Sequence, residues 1–361
     1  MPRKYNMMLQ PDDIEPAFDG FNVLGVFNLA ACRHNGGYIG LVRVAESPIQ
    51  PDNLKSGARY LYSPRMDFSG NEPALKIDSF MVGRDCRQED PTGFYSFTEE
   101  RDRSTTISYL SLIRSRDGKN IDYVSPEPTI MPSMEEEKYG VEDPRIVPMN
   151  GVFIVSTVGY SERGNITFFR ETRDFEEFSK PWRITAEGKN TFPFPEKING
   201  EYAMLTRTGH GHDQRIEIAR SPDLVHWGGF DVLLETREGS FDSDGIGGGA
   251  PPIRTPRGWL EIYHGKRKGR PYQTKLSRYA CGAALIDFDD EGNPGVQSRS
   301  KKPIFSSGRY DDTLLPDVAF VSGACLEDDG KNPRLRVFGG MDDENAFSSI
   351  IPLDRILASM H

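Results

Sequence analysis

The chain has 361 residues, a net charge of −10 and a pI near 5.3. That length fits one large domain or two ordinary ones, and the acidic balance argues against nucleic acid as the main partner, which calls for a basic face. An anionic small substrate stays open, because a local basic cluster can act inside an acidic protein. A hydrophobic content of 37%, with 36 Gly, 26 Pro and 11% aromatic residues, points to a turn-rich, all-β protein. A helical one would carry longer 3.6-period runs.

From Met1 to about Phe21 the chain is polar and contains Pro and Asp, and it reads as an N-terminal arm (1–21) over a main body of 22–350. No apolar h-region opens it and no later segment is long enough to span a bilayer. The expected setting is cytoplasmic, without a membrane partner. The cysteines, Cys32, Cys86, Cys281 and Cys325, lie far apart and form neither a CxxC pair nor a zinc spacing. Cys281 and Cys325 sit in apolar runs and read as buried thiols.

Strands are expected over 151–157, 166–170, 202–206, 216–219, 258–263, 281–287, 318–321 and 335–338. Gly, Pro, Asn and Asp clusters separate them, as in antiparallel meanders. A weak repeat overlies this pattern. Ser115-Arg-Asp-Gly118, Thr172-Arg-Asp-Phe175 and Ser221-Pro-Asp-Leu224 each end an apolar run with a hydroxyl, a spacer and an Asp. A separation of roughly 50–60 residues fits one four-stranded propeller blade per unit, and about five units fill the chain. The run Gly245-Ile-Gly-Gly-Gly-Ala-Pro-Pro252 lacks the lysine of a phosphate-binding loop and precedes a strand. It reads as close backbone approach at a propeller centre or a substrate cleft. In the tail, 351–361, the stretch from Ile351 to Ser359 is amphipathic enough for a short helix.

The chemistry concentrates in Tyr139-Gly-Val-Glu-Asp-Pro-Arg145. Pro144 pushes the residue before it towards an extended conformation, which would hold Asp143 stiffly at a strand mouth. Arg145 would pair with one carboxylate and leave the other free as a positioned acid. An Asp-Pro turn closed by a surface ion pair is the simpler alternative.

Eight segments in order then resemble one family. They are Val26-Phe-Asn28, Leu41-Val-Arg-Val44, Val141-Glu-Asp-Pro-Arg-Ile146 and the stretch from Phe194-Pro-Glu-Lys197 to Arg207. Gly247-Gly-Gly-Ala-Pro-Pro-Ile253, Gly258-Trp-Leu-Glu-Ile-Tyr-His-Gly265, Tyr279-Ala-Cys-Gly-Ala-Ala-Leu-Ile-Asp287 and Phe338-Gly-Gly-Met-Asp-Asp343 follow. Together they resemble the β-mannoside phosphorylases of glycoside hydrolase family 130, whose members are five-bladed β-propellers. The resemblance implies that Asp143 is the acid, acting through the 3-hydroxyl of the mannosyl unit. It also implies a phosphate site at Lys189, Arg207, His264 and Tyr279, and sugar contacts from Asn28, Arg43, Glu142 and Asp342. Glu142 would alternatively orient Arg145.

The implied reaction is inverting phosphorolysis of a β-mannoside, of the manno-oligosaccharide or mannosyl-glucose type, to α-mannose 1-phosphate and a shortened sugar. Inorganic phosphate would be the co-substrate, with no metal or organic cofactor, and a homo-oligomer is compatible with the sequence. Phosphate is already an anionic nucleophile, so one carboxylate suffices. A β-mannosidase would need a second as base, with Glu196 or Asp244 available. A non-catalytic sugar-binding propeller would have no reason to keep Glu142 to Arg145 intact.

Departures from the family pattern include Leu29-Ala30 after Asn28, Thr208-Gly-His-Gly-His212 after Arg207, and Asp317 before Val318. His210 and His212 resemble a metal pair only superficially, since no third ligand is evident. The basic stretch Lys266 to Lys275 would select the acceptor sugar or be a solvated loop.

Overall fold

A computed structural model of the protein describes residues 5–50, 59–89, 92–185, 187–208, 214–268, 277–307, 317–327 and 332–360. The architecture is all-β. Leu353–Ala358, within the amphipathic tail, is the only α-helix among the described residues.

The strands pair as antiparallel sets of four, in chain order. One set is Lys189–Pro193, Tyr202–Arg207, Ile216–Ser221 and Gly228–Leu234; another is Gly245–Thr255, Gly258–Lys268, Ser277–Phe288 and Pro294–Arg299. A larger sheet joins two sets. The first is Phe21–His34, Gly37–Pro48, Ile107–Ser115 and Tyr123–Val124, and the second is Gly140–Met149, Val152–Ser161, Gly164–Thr172 and Trp182–Arg183. Only a parallel bridge from Gly140 to Ser108 links them. The last set takes Ala319–Glu327, Arg334–Met341 and Asn345–Pro352, and borrows Asn6–Leu9 from the other end of the chain as its outer strand.

The leading strands of the five sets, those beginning at Phe21, Gly140, Lys189, Gly245 and Ala319, touch one another in a closed cycle. Each also carries a register shift against its neighbour at a similar place. The shifts fall between Phe27 and Ala30, Glu142 and Arg145, Lys189 and Phe192, Gly248 and Ala250, and Val321 and Gly323. A bulge bends its strand and re-aims a side chain. In three of them the backbone turns left-handed, at Asn28 (φ 52°), Asp143 (φ 48°) and Asn190 (φ 57°). Asn and Asp are the non-glycine residues that tolerate this best.

The sequence repeat corresponds to one turn used three times, after the third strand of three successive sets. Ser115, Thr172 and Ser221 form hydroxyl-to-carboxylate bonds with Asp117, Asp174 and Asp223, whose carboxylates accept backbone N–H groups from the residues that follow. Gly118, Phe175 and Leu224 then take φ of 66°, 65° and 67°.

The glycine run is not a lead-in to a strand; it is the leading strand itself. A Cβ on Gly249 would lie 2.2 Å from the carbonyl oxygen of Ile262, and one on Gly247 2.5 Å from the ring of His264. Close approach therefore does require glycine at these two positions.

One part was not foreseen. Between Gly37–Pro48 and Ile107–Ser115 the chain builds a lobe from a pair of strands, Tyr60–Asp67 and Ala74–Met81, and a three-stranded sheet, Cys86–Gln88, Gly93–Ser96 and Arg101–Ser104. Leu61, Phe80, Cys86 and Phe94 form its small core. Arg103 fastens it to the body, donating to Asp78, Ser63 and the Tyr139 hydroxyl.

Candidate active site

Asp143 sits in the bulge of its strand, and its backbone is left-handed, not extended as the following proline suggested. The reason is the bulge, in which Arg145 donates from Nη1 to the carbonyls of Asp143 (3.1 Å) and Pro144 (2.9 Å) and from Nε to the carbonyl of Gly249. Arg145 is 1% exposed, and burial lowers its pKa to about 10. It thus clamps the bulge backbone and does not pair with the side-chain carboxylate of either acidic neighbour.

That pairing is made by Arg43, from the adjacent set of strands. Its Nη2 donates to Glu142 Oε1 at 2.6 Å, its Nη1 lies 3.4 Å from Asp143 Oδ1, and its Nε donates to Ser108 at 3.0 Å. Glu142 therefore orients Arg43, not Arg145. Asn28 completes the frame by donating from Nδ2 to Asp143 Oδ1 at 2.8 Å. Burial pushes the Asp143 carboxyl up, but Arg43, Lys189, Arg145 and the Asn28 bond outweigh it and hold it below its ordinary value. Glu142 moves the other way, raised by burial and by the charge of Asp143. Two adjacent carboxylates are thus driven apart in acidity, with Asp143 the more acidic of the two while no anion sits against the cations around it.

On the other side of Asp143 lies a basic cluster. Lys189 and Arg207 face each other across paired strands. Burial and then the charge of Arg207 lower the pKa of Lys189, which also feels Asp143 and Glu142. Arg207 is 7% exposed, and its Nη1 is 3.4 Å from His264 Nε2. Burial and the cations Arg207, Arg145, Lys189 and Lys266 drive the pKa of His264 well down, so the ring is neutral. With Nε2 facing an arginine donor, the proton belongs on Nδ1, which is buried and has no hydrogen-bond partner among the described residues. Tyr279 packs beside this ring at 6.0 Å between centroids, and burial raises its pKa. The group offers an ammonium, a guanidinium, an imidazole N–H and a phenol, with no carboxylate among them. Such a set suits a phosphate.

Asp342 is fully buried, and its Oδ1 accepts from the Val318 N–H at 3.1 Å, tying its turn back to the chain. The Asp343 carboxylate beside it interacts with Arg43, Lys189, Asp143 and Glu142, and is pushed up to about 6 mainly by burial. Sequence reasoning missed Asp343 because two adjacent aspartates differ only in the turn geometry that aims them. It missed the clamp role of Arg145 because that partner, Gly249, lies on a distant strand.

Glu196 is exposed in the hairpin after Lys189–Pro193, at the other end of that strand from Lys189. Asp244 accepts from Ser243 and from the Lys268 N–H. His210, His212 and residues 269–275 of the basic stretch lie outside the described residues. Among those described, no group of three His, Cys, Asp or Glu side chains is arranged to hold a metal.

A family model described as beta-1,4-mannooligosaccharide phosphorylase matches residues 94–361. The chain is 32% identical over 360 residues to a beta-1,2-mannobiose phosphorylase of Listeria innocua, covering 98% of this chain and 96% of that one. It is 31% identical over 229 residues to a 1,2-beta-oligomannan phosphorylase of Thermoanaerobacter, covering 62% of this chain and 73% of the other. The solved structure of the Listeria innocua enzyme in complex with beta-1,2-mannobiose superposes with a TM-score of 0.86, at 30% identity over 99% of each chain. The chain belongs to glycoside hydrolase family 130, the β-mannoside phosphorylase family.

Proposed function

We propose that the protein is a glycoside phosphorylase that cleaves β-mannosides with inorganic phosphate, releasing α-mannose 1-phosphate and a shortened sugar. The cluster of Lys189, Arg207, His264 and Tyr279 beside Asp143 is the observation that carries this reading. A hydrolase has no use for so many anion-binding groups next to its acid. The names of the full-length relatives favour a β-1,2-mannosidic bond and make β-1,2-mannobiose the first substrate to try.

The cycle of five leading strands, each with its bulge, supports a five-bladed propeller with the site at one end of its axis. Residues 6–9 then belong to the closing blade, and the catalytic body extends from there to the tail. In this reading a phosphate oxygen attacks the anomeric carbon while the glycosidic C–O bond breaks on the opposite face. Asp143 supplies the proton that the departing oxygen needs, relayed through the 3-hydroxyl of the mannosyl unit. Asp143 is held below its ordinary pKa by nearby cations, and phosphate corrects this. Negative charge placed against Lys189 and Arg207 cancels part of their pull and favours the protonated acid. Asn28, Arg43, Glu142 and Asp343 hold the hydroxyls of the mannosyl unit.

The test is a panel of β-1,2- and β-1,4-mannobiose, each with and without phosphate. Consumption of the β-1,2 disaccharide only when phosphate is present is expected. Equal cleavage in phosphate-free buffer would point instead to a mannosidase.

A further inference from the structure

The lobe is inserted in the chain after the strand that carries Arg43. The strand Gly37–Pro48 presents Arg43 to Asp143, and the chain leaves for the lobe directly after that strand. Where the lobe meets the neighbouring sheet there is a cavity of about 290 Å³, lined by Glu89, Thr92, Asp102, Ser104 and Tyr160 among others. It is of a size to take one pyranose ring.

The cavity borders the sheet that carries Glu142. Tyr160 pairs across from Gly140, and Val158 pairs across from Glu142. Residues two apart on a strand share a face, so Tyr160 and Glu142 project from the same side. Tyr160 feels the charges of both Glu142 and Asp102. Arg103 is committed to Asp78, Glu99, Ser63 and Tyr139 and serves as a wall. By contrast, the Tyr160 hydroxyl and the Asp102 carboxylate make no hydrogen bond with any described residue. An aromatic ring with a free hydroxyl, facing a free carboxylate, is the chemistry that binds sugar hydroxyls.

Direction also matters. The phosphate groups Lys189, Arg207 and His264 come from the third and fourth sets of strands, whereas the cavity lies by the first and second, beyond Glu142. In-line displacement puts nucleophile and leaving group on opposite faces of the anomeric carbon, and a phosphate held by Lys189 and Arg207 would expel the leaving group away from those two sets of strands. The family match begins at residue 94, so the strands Tyr60–Asp67, Ala74–Met81 and Cys86–Gln88 precede it, whereas Asp102 and Tyr160 lie within it and the Listeria innocua relative aligns over nearly the whole chain. Chain length is also the property by which the related phosphorylases differ in name, mannobiose against oligomannan.

We propose that this cavity is a carbohydrate subsite for the unit next beyond the leaving sugar, with Tyr160 as ring platform and donor and Asp102 as acceptor. It makes the enzyme favour a β-linked mannotriose over mannobiose. The inference rests on the β-mannoside reading of the Asp143 site.

Two measurements test it and keep it separate from that reading. The first compares kcat/KM for β-1,2-mannotriose and β-1,2-mannobiose in the unmodified protein, Asp102→Asn and Tyr160→Phe. Each variant should lower the trisaccharide-to-disaccharide ratio about tenfold, the effect of losing one charge-assisted or buried hydrogen bond. A ratio unchanged in both variants overturns the subsite. The second measures β-1,2-mannotriose binding by calorimetry to Asp143→Asn protein, with and without Asp102→Asn. A similar loss of affinity supports the subsite even if phosphate proves unnecessary for cleavage, in which case only the phosphorylase reading falls. Equal affinity with and without Asp102→Asn overturns the subsite whatever the reaction. Asp102 is exposed, so its replacement leaves the fold intact.

Discussion

At the scale of single residues, the chemistry turns on which group does what around Asp143. Asp143→Asn keeps the shape and the Arg43 contact but has no proton to give. Turnover of a natural disaccharide should fall by about 10²–10⁴-fold or more, while an activated aryl mannoside, whose leaving group needs little protonation, is partly spared. Steady-state rates on the two substrates check this; loss of less than tenfold on the disaccharide would remove Asp143 from the role. Arg207→Ala should instead raise the KM for phosphate, since it removes a contact worth roughly 1.5–3 kcal/mol. Arg145→Lys keeps the charge but cannot reach three carbonyls at once, and should cost about 2–4 kcal/mol in urea unfolding.

Asp343 makes a prediction about pH. Its folded pKa of about 6 lies above the ordinary 3.8, so the folded state holds this proton more tightly than the unfolded chain. The stability it contributes is present below about pH 4 and is lost as pH rises through 6. Asp343→Asn should flatten that fall in a series of melting curves between pH 4 and 7. A slope unchanged by the substitution would show that Asp343 is not the group responsible.

At the scale of elements, much was legible and some was not. Apolar β-rich runs such as 202–206 and 216–219 marked strands because one face is buried and the period is two. The Ser-Arg-Asp and Ser-Pro-Asp turns were legible because a hydroxyl and an Asp cap backbone N–H groups locally, without help from distant chain. The glycine strand was misread as a lead-in, since its apolar content is low and its role depends on Ile262 and His264 crowding it. The lobe was silent for a similar reason. Three of its five strands have only three or four residues, as in the charged Arg101–Ser104, and it is held by Arg103 and a four-residue core. Asp143 was expected to be extended because the local effect of Pro144 was weighed alone; the clamp from Arg145 to Gly249 overrides it. Gly249→Ala tests that packing. Its new Cβ would meet backbone at 2.2 Å, so the variant should be destabilised by at least about 1–3 kcal/mol, read from the midpoint of chemical unfolding.

At the scale of the whole molecule, the two ends of the chain meet in one sheet. Asn6–Leu9 pairs with Asn345–Pro352, and the Tyr5 ring lies edge-on to Phe305 and Phe347. This pairing completes the last set of strands, whose leading strand Ala319–Glu327 meets Phe21–His34 in the cycle that brings Asn28, Asp143, Arg207 and His264 to one place. Removing residues 1–9 should cost about 3–6 kcal/mol, counting roughly 1.5–3 for each of the buried Met8 and Leu9, and should bare the edge of Asn345–Pro352. An unchanged unfolding midpoint would mean that the strand does not secure the ring. The central claim is that phosphate and Asp143 act on opposite faces of the mannosyl carbon. Proton and phosphorus NMR of the reaction with β-1,2-mannobiose in phosphate buffer tests it most directly. The first product should be α-mannose 1-phosphate, formed in step with free mannose from the leaving unit; β-mannose 1-phosphate, or two mannose molecules without any phosphate ester, would contradict the account.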